Sequence, residues 1–492
     1  MTNRTSFSTL TLAGLLVTVA LPACPSTASL CDNGACEAAG HDDGGPPGTD
    51  ADANVPVDEC LNKPDAPECL SEETALFVSA AGDATAGDGT KANPLKSIGA
   101  ALERVAEGRK RIYVCEGTYP EAVVLGSKHA GVSLFGGFTC DWQVSEAKPT
   151  VGDGPLALKI SGATGVAISG LAFVAADATE PGGSSIGAFV ANADVTFKGV
   201  RLAAGKGKDG SSGTLVPYTY PAADVLKGKN AAGATAGAQT AVTCPGDAST
   251  STVGGAGGAS DGDDGKTGTT GPDNAGTLAK CLTGSNGGDG EPGVPAPAAA
   301  AGGKRGTLTA DGWRPEPGID GTKGGAGQGG GGGAGRQGGG GGGGAAGGCG
   351  GAGGPGGRGG GASIALALLQ ATVRSEGSSL AASDAGRGGD GSEGQTGQTP
   401  GGLRGFANAG SACNGGLGGP GGNGGAGAGG SGGVSIGVLY MGTSPELDAP
   451  TTADIVVGTA GVPGTGGKPG AAPAGNDGPA GVAEKIKDAS QL

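Results

Sequence analysis

The chain has 492 residues, enough for two or three ordinary domains, yet 115 of them are glycine and only 3% are aromatic. This composition excludes a core built from Phe, Tyr and Trp. Either small side chains and backbone hydrogen bonds stabilise a closely stacked fold, or much of the chain is disordered. The net charge of −15, without a cluster of Lys and Arg, excludes a nucleic-acid partner, because binding to phosphates requires such clusters.

The N-terminus has the features of an export signal. Arg4 provides a positive charge, and residues 10–21 form an uncharged apolar run that is short for a membrane span. The run ends in LPAC at 21–24, which resembles the lipobox of bacterial lipoproteins, although the proline is unusual at its position. We therefore expect a signal peptide over residues 1–23 and a lipid on Cys24. The alternative is ordinary cleavage and secretion of a soluble protein.

The cysteines indicate an oxidising compartment. If Cys24 carries a lipid, ten of the 11 cysteines remain, and an even number favours five disulfides. Spacing favours three neighbour pairs, and elimination leaves two more: Cys31–Cys36, Cys60–Cys69 and Cys115–Cys140, then Cys244–Cys281 and Cys349–Cys413. A zinc site is not expected, because the chain has no C-x-x-C pair and only two histidines.

The segment that follows the expected anchor is acidic and rich in Pro and Asp. We assign residues 24–74 as a lipid-anchored, disulfide-containing tether that holds the folded part away from the membrane surface. No second apolar stretch in the sequence is long enough to span a bilayer, so we expect the mature protein to be anchored or soluble.

The folded part begins near residue 75. Residues 76–78 predict a strand, and residues 93–105 predict a short helix because their apolar residues recur on one helical face. Residues 111–115, 122–125 and 131–138 predict short strands separated by turns of a few residues.

Four segments resemble the opening of secreted right-handed parallel β-helix proteins of the pectate-lyase-like class. They are residues 77–79 (FVS), 93–98 (NPLKSI), 113–121 (YVCEGTYPE) and 134–138 (LFGGF). In particular, residues 76–204 are similar to glycine-rich (PGRS-like) surface lipoproteins of myxobacteria. The resemblance implies a short helix that caps the first coil, with C-x-G-T-Y-x-E as the second strand and turn. It implies no particular activity.

Three repeat units follow, each with a second strand-like run. The units start at 183–190, 361–368 and 433–440, and the second runs are 194–197, 371–374 and 453–457. Such units stack because a single one cannot bury its own apolar face. We therefore expect an all-β fold, a right-handed parallel β-helix, over residues 75–204, 361–384 and 433–457. Glycine-rich excursions occupy 205–360 and 385–432, and a glycine-rich tail occupies 458–492.

Glycine recurs at every third residue in the excursions, for example at 262, 265, 268 and 271. A helix of the polyproline II type has three residues per turn, so this spacing places glycine along one edge, where helices can pack closely. The excursions are expected to be polyglycine II-like or, alternatively, disordered.

Chemistry-bearing residues are sparse. His129 is the only histidine of the folded part and lies in a turn context, which predicts a solvent-facing side chain. The residues that a lyase could use are Asp177, Asp194, Lys198 and Arg201, but Asp194 and Lys198 have no paired acid nearby in sequence. The acidic residues at 261–265 lack the spacing of an EF-hand. We expect no metal, no cofactor and no catalysis.

These expectations define a function class. They describe a cell-surface lipoprotein outside the cytoplasm, held at the outer membrane or cell surface, that serves as a structural, adhesive or glycan-binding scaffold. Its partners would be the membrane, through the lipid, and polysaccharide or matrix components. The alternative is a polysaccharide lyase or glycoside hydrolase on the same fold, and fold alone does not choose between them.

Overall fold

The computed structural model describes residues 59–492 except 106–107, 247–249, 260–261, 270, 278–286, 295–296, 298–299, 409–410 and 469–473. The predicted signal peptide, Cys24, most of the tether with Cys31 and Cys36, and Cys281 lie outside the described residues. Across the described part of the chain, no helix is both long enough and apolar enough to cross a membrane.

Most of the regular structure is β-strand. In chain order the strands are β1 (Ala75–Asp83), β2 (Arg111–Cys115), β3 (Thr118–Tyr119), β4 (Val123–Leu125), β5 (Ser133–Phe138), β6 (Thr150–Val151), β7 (Leu156–Ser161), β8 (Val166–Ser169), β9 (Ala172–Val174), β10 (Ser185–Ala191), β11 (Asp194–Lys198), β12 (Arg201–Ala203), β13 (Thr240–Thr243), β14 (Ser251–Gly254), β15 (Gly306–Thr309), β16 (Gly312–Pro315), β17 (Ser363–Leu369), β18 (Thr372–Glu376), β19 (Ser379–Ala381), β20 (Ser435–Met441), β21 (Glu446–Leu447), β22 (Ile455–Val456) and β23 (Ala483–Asp488). Among the described residues the helices are α1 (Ile98–Glu103), α2 (Ala449–Ala453) and the 3-10 helices Glu59–Leu61, Ser127–His129 and Ala489–Gln491.

Three parallel sheets form the body of the fold. Sheet 1 has the order β1-β2-β5-β8-β11-β18-β21, sheet 2 has β23-β20-β17-β10-β7-β4, and sheet 3 has β22-β19-β12-β9-β6-β3. From β2 onward the chain visits sheet 1, sheet 3 and sheet 2 in turn, so that each circuit adds one strand to every sheet. The hairpins β13–β14 and β15–β16 form two further, antiparallel two-stranded sheets. The prediction of a mostly β protein is therefore confirmed.

The core lies between the three sheets. On β11, Val195 and Phe197 are buried and belong to the main apolar cluster, whereas Asp194, Thr196 and Lys198 are partly exposed on the opposite face. This alternation is the two-residue period of a strand with one face in the core. Each circuit contributes a few aliphatic side chains, so only stacking of successive circuits produces a continuous core.

Helix α1 packs against the N-terminal end of this core. Its Ile98, Ala101 and Leu102 are buried, as the apolar periodicity of the sequence predicts. The Ser97 hydroxyl accepts the N–H of Ala100 at 3.1 Å and so caps the first turn.

The outer faces of two sheets are covered. Residues 59–73, part of the predicted tether, lie on sheet 1, where the Cys60–Cys69 loop joins a cluster that includes Phe77, Tyr113 and Trp142. The Tyr113 hydroxyl donates to the Pro64 carbonyl at 2.9 Å. Hairpin β15–β16 covers sheet 2 through Leu308 and Trp313, together with the C-terminal Leu492.

The disulfides agree with the predicted pairing only in part. Cys60–Cys69 and Cys115–Cys140 are present as the spacing favours. The predicted pairs Cys244–Cys281 and Cys349–Cys413 are both wrong, because Cys244 is bonded to Cys349, 105 residues away. Elimination failed because the glycine tracts bring residues that are distant in sequence into contact, which spacing does not reveal.

The glycine tracts are hydrogen-bonded at every third residue. The N–H groups of residues 318–333 donate to carbonyls of residues 342–357 in antiparallel order, and those of residues 348–360 donate to residues 419–431 in parallel order. Residues 386–398 donate to residues 349–361 in the same periodic manner. A three-residue period is expected of extended threefold helices. The alternative of disordered tracts does not hold for these segments.

The proportion of glycine in a segment is higher where more segments pack around it. In residues 262–269 only Gly265 and Gly268 are buried, and a Cβ on either would meet a carbonyl of residues 329–332 at less than 3.0 Å. Residues 329–333 are all glycine and all buried, and successive Cβ atoms there would meet carbonyls of different segments, including those of Asn274, Ala256 and Cys413. Glycine therefore stands at every position of the enclosed residues 329–333, whereas the edge segment 262–269 has it at every third position.

Candidate functional site

The four residues that a lyase could use are not brought together. Asp194 and Lys198 lie on the outer face of β11 in sheet 1, whereas Arg201 lies on β12 in sheet 3. Asp177 follows sheet-3 strand β9, and its Oδ1 accepts the N–H of Lys206 at 2.6 Å.

Two of the charged side chains on the outer face of sheet 1, Lys198 and Arg374, have polar partners. Lys198 Nζ donates to Asn62 Oδ1 at 2.5 Å, which ties β11 to the disulfide loop that covers the sheet. Asp194 stands opposite Thr372 on the neighbouring strand. Arg374 Nε lies 2.8 Å from Glu446 Oε2, with both side chains at least half exposed, so this ion pair contributes little stability.

His129 is buried, and the prediction of a solvent-facing side chain is wrong. It is 4% exposed, and its Nδ1 accepts the N–H of Gly126 at 2.9 Å, closing the turn locally. Its Nε2 has no hydrogen-bond partner among the described residues. Burial, reinforced by the charge of Lys128, lowers the pKa of the imidazole below its usual value. An acceptor Nδ1 and an enclosed Nε2 give this histidine a structural role.

The pattern Gly-x-Ser-x-Gly, typical of nucleophile elbows, occurs at four places, of which residues 183–187 and 433–437 begin strands. Here it does not form an elbow. Ser185 and Ser435 are fully buried at the start of strands of sheet 2, in register with Ser363 of the middle repeat. Ser363 Oγ donates to the Gly205 carbonyl and accepts the Ser383 N–H, both at 2.7 Å. These serines are hydrogen-bonding links within the fold.

The C-x-G-T-Y-x-E segment is also structural. Cys115 forms a disulfide, Gly117 has a φ of 148°, and the Tyr119 hydroxyl donates to the Cys115 carbonyl at 2.9 Å. Burial raises the pKa of Tyr119 to about 12. The Glu121 carboxylate accepts the first N–H groups of α1, from Ile98 at 2.7 Å and Gly99 at 2.9 Å. The motif therefore secures the N-terminal end of the core.

Metal ligands do not converge in the part of the chain that the structure describes, where no group of three or more His, Cys, Asp or Glu side chains could hold an ion. Of the predicted acidic run, Asp261 lies outside the described residues. Asp390, in a Gly-rich fragment at 386–391, pairs instead with Arg387 at 2.5 Å.

One polar face of the glycine tracts has a regular construction that sequence reasoning missed. It consists of segments 205–213, 384–390 and 459–465, which continue β12, β19 and β22 and lie side by side in parallel. We call it the carboxylate face. On it, aspartates of one segment accept backbone N–H groups of the next: Asp209 from Arg387 at 2.7 Å, Asp384 from Thr459 at 3.0 Å and Asp390 from Thr465 at 2.7 Å.

These hydrogen bonds hold the carboxylates of the carboxylate face in fixed positions, and they favour the charged form of Asp384 and Asp390. The pKa of Asp384 is lowered by the N–H and hydroxyl of Thr459. The pKa of Asp390 is lowered to about 2, chiefly by the Arg387 guanidinium and also by Thr465. In the sequence, the only sign of this face is a constant offset of 75 residues, which relates Asp384 to Thr459 and Asp390 to Thr465.

Comparison of the chain with models of protein families, with curated proteins and with solved structures gave no match.

Proposed function

We propose that this protein is a non-catalytic cell-surface lipoprotein whose fold is a right-handed parallel β-helix carrying a layer of polyglycine II-like helices. The carboxylate face is the observation that carries this proposal. Its segments continue the strands of sheet 3, and its aspartates are fixed by backbone N–H groups of neighbouring segments. A face of this kind presents polar groups that need no further ordering when a partner binds.

The proposed role is structural or adhesive, with polysaccharide or matrix components as partners. A repeat scaffold of this kind offers extended, rigid surfaces suited to polymeric ligands. The resemblance of residues 76–204 to glycine-rich surface lipoproteins of myxobacteria agrees with this role.

The proposed location is outside the cytoplasm, with the lipid on Cys24 at the outer membrane or cell surface, or alternatively in the medium after cleavage. Cys60–Cys69, Cys115–Cys140 and Cys244–Cys349 support it, because structural disulfides persist mainly in oxidising compartments. Metabolic labelling with a radioactive fatty acid tests the anchor: label is expected on the wild type and not on C24S. Equal labelling of both would exclude Cys24 as the site.

The function is tested with the full chain and a panel of acidic and neutral polysaccharides, with and without calcium. Retention of the protein and release of unsaturated or reducing ends are measured on the same samples. Retention without cleavage is the expected result. Cleavage would replace the proposal with the lyase or hydrolase alternative and make Asp194 and Lys198 the first residues to substitute. Absence of both signals would reject glycan binding and leave only the structural role.

A further inference from the structure

The aromatic residues of this chain are concentrated on the outer face of sheet 1. The chain has eight Phe, five Tyr and two Trp, and a third of them lie in one cluster there. Phe77, Tyr113 and Phe135 stand in register on β1, β2 and β5, with ring centroids 5.5 and 5.0 Å apart. Their strand neighbours Leu76 and Leu134 belong to the main core instead. The three rings are fully buried although they face away from that core, so a cover must exclude water from them.

That cover is the segment 59–73, which we call the strap. It runs across the strands of sheet 1. The register row that holds the three rings continues through β8 to Lys198 of β11. Lys198 Nζ donates to Asn62 Oδ1 at 2.5 Å, and on β2 the Tyr113 hydroxyl donates to the Pro64 carbonyl at 2.9 Å. The strap therefore spans sheet 1 from β11 to β1, the strand into which it leads.

A disulfide makes the strap respond to a pull as one unit. Cys60 and Cys69 are buried and close the loop that contains Asn62 and Pro64. A pull on Cys60 passes through the disulfide to Cys69, so the loop cannot be straightened residue by residue, and its contacts with sheet 1 must break together. Strand β1 offers a weaker point of entry, because it is the end strand of sheet 1. A force applied directly to an end strand breaks the hydrogen bonds of its ladder one after another.

We propose that the strap carries mechanical load from the N-terminal tether into the fold. Force on the tether then reaches the outer face of sheet 1, over strands β1 to β11, before it reaches the end strand β1. The aromatic stack and the hydrogen bonds of Asn62 and Pro64 resist this force in several circuits at once. The inference rests on the proposed anchored, adhesive function and deepens it, because an adhesive scaffold transmits to its anchor the pull of whatever it holds.

The test is single-molecule force spectroscopy of the full chain, with one handle before residue 59 and the other at the C-terminus. In the wild type, the strap is expected to come off in one rupture that leaves the loop between Cys60 and Cys69 closed. C60S/C69S is expected to release the strap at a lower force and with about 25 Å of additional length. Nine residue steps extend to about 30 Å, whereas the disulfide holds the two Cα atoms 5.7 Å apart.

A second variant and a control separate the strap from a general loss of stability. Y113F keeps the aromatic stack and removes the hydrogen bond to the Pro64 carbonyl, so it is expected to lower the rupture force of the strap without changing the released length. The control C244S/C349S removes a disulfide of the glycine tracts. It is expected to leave both the force and the length of the strap rupture as they are in the wild type.

The outcomes separate this inference from the proposed anchor. Equal rupture forces in the wild type, C60S/C69S and Y113F, or no rupture that lengthens by the stated amount in C60S/C69S, would overturn the load-bearing role. If that occurs while fatty-acid label is found on Cys24, only this inference fails. If the strap behaves as expected but Cys24 carries no label, the anchor is rejected and the load-bearing property of the strap stands. Circular dichroism of each variant verifies that the fold is retained.

Discussion

Alanine substitution of the enclosed glycines tests the relation between glycine density and the number of neighbouring segments. In residues 329–333, each added Cβ would stand less than 3.0 Å from a backbone carbonyl oxygen. A carbonyl held in its own hydrogen-bonded segment cannot move aside as the end of a flexible side chain can. We expect Gly331→Ala, Gly332→Ala and Gly333→Ala to be destabilising to a similar degree, although each contacts a different segment.

The magnitude follows from packing and hydrogen bonding. Overpacking of a close-packed interior costs about 1–3 kcal/mol. Displacement at Gly332 also strains two backbone hydrogen bonds, each 2.8 Å long. In one the Gly332 N–H donates to the Lys266 carbonyl, and in the other the Gly276 N–H donates to the Gly332 carbonyl. Each such bond contributes about 1 kcal/mol net. We therefore expect Gly332→Ala to lower the free energy of unfolding by about 3 kcal/mol.

The matched control is Gly303→Ala, because no atom lies within 4 Å of the added Cβ and the residue is not in a positive-φ conformation. Alanine at such a site leaves stability unchanged or raises it by up to about 1 kcal/mol, through the unfolded state. Guanidinium unfolding followed by circular dichroism gives both values. If the Gly332 and Gly303 variants unfold at the same denaturant concentration, the enclosed packing of residues 329–333 is refuted.

Three further perturbations concern pH and redox state. Burial lowers the pKa of His129 in the folded protein, so the unfolded chain takes up a proton first as the pH falls below about 6.5. The stability of the wild type should therefore decline below that pH, whereas that of H129Q should not. Thermal melts at several pH values measure both. The pKa of Asp390 is lowered to about 2, so the stability that its charged form contributes is present above about pH 4 and lost toward pH 2. D390N should flatten that part of the pH–stability curve. Parallel curves for both proteins would contradict this. The double variant C244S/C349S removes the disulfide that closes a loop of 105 residues, and on the chain-entropy argument its free energy of unfolding should be about 4–5 kcal/mol lower than that of the wild type. A reductant should then have a smaller effect on the variant than on the wild type.

The β-sheet part of the fold was largely accessible from the sequence. Strands near 76–78, 111–115 and 131–138 lie where β-branched residues between turns predicted them. Helix α1 has its predicted apolar face. These are local patterns, because a strand or helix with one buried face leaves its period in the sequence.

Features that depend on distant contacts were not accessible. Nothing local in residues 59–73 predicts that they cover sheet 1, because their contact partners, such as Tyr113 and Lys198, lie far along the chain. His129 was misjudged for the same reason: its turn context is local, but its burial depends on residues packed around it. The three-residue glycine period predicts close packing of helices but not which tracts are neighbours, and so it did not predict Cys244–Cys349.

The repeated serines show how one residue type can join the two parts of the architecture. Each serine begins a strand of sheet 2, and Ser363 bonds across the fold to Gly205 and Ser383, where the chain leaves sheet 3 for the glycine layer. Ser363→Ala would leave that carbonyl and that N–H without partners in a partly buried site, at a cost of about 2 kcal/mol in the free energy of unfolding. The control Ser392→Ala removes a hydroxyl that donates to the Glu393 carbonyl at an exposed position, and it should cost little. Denaturant unfolding compares the two variants. Equal stability of both would show that the repeated serines do not couple the sheets to the hydrogen-bonded glycine tracts.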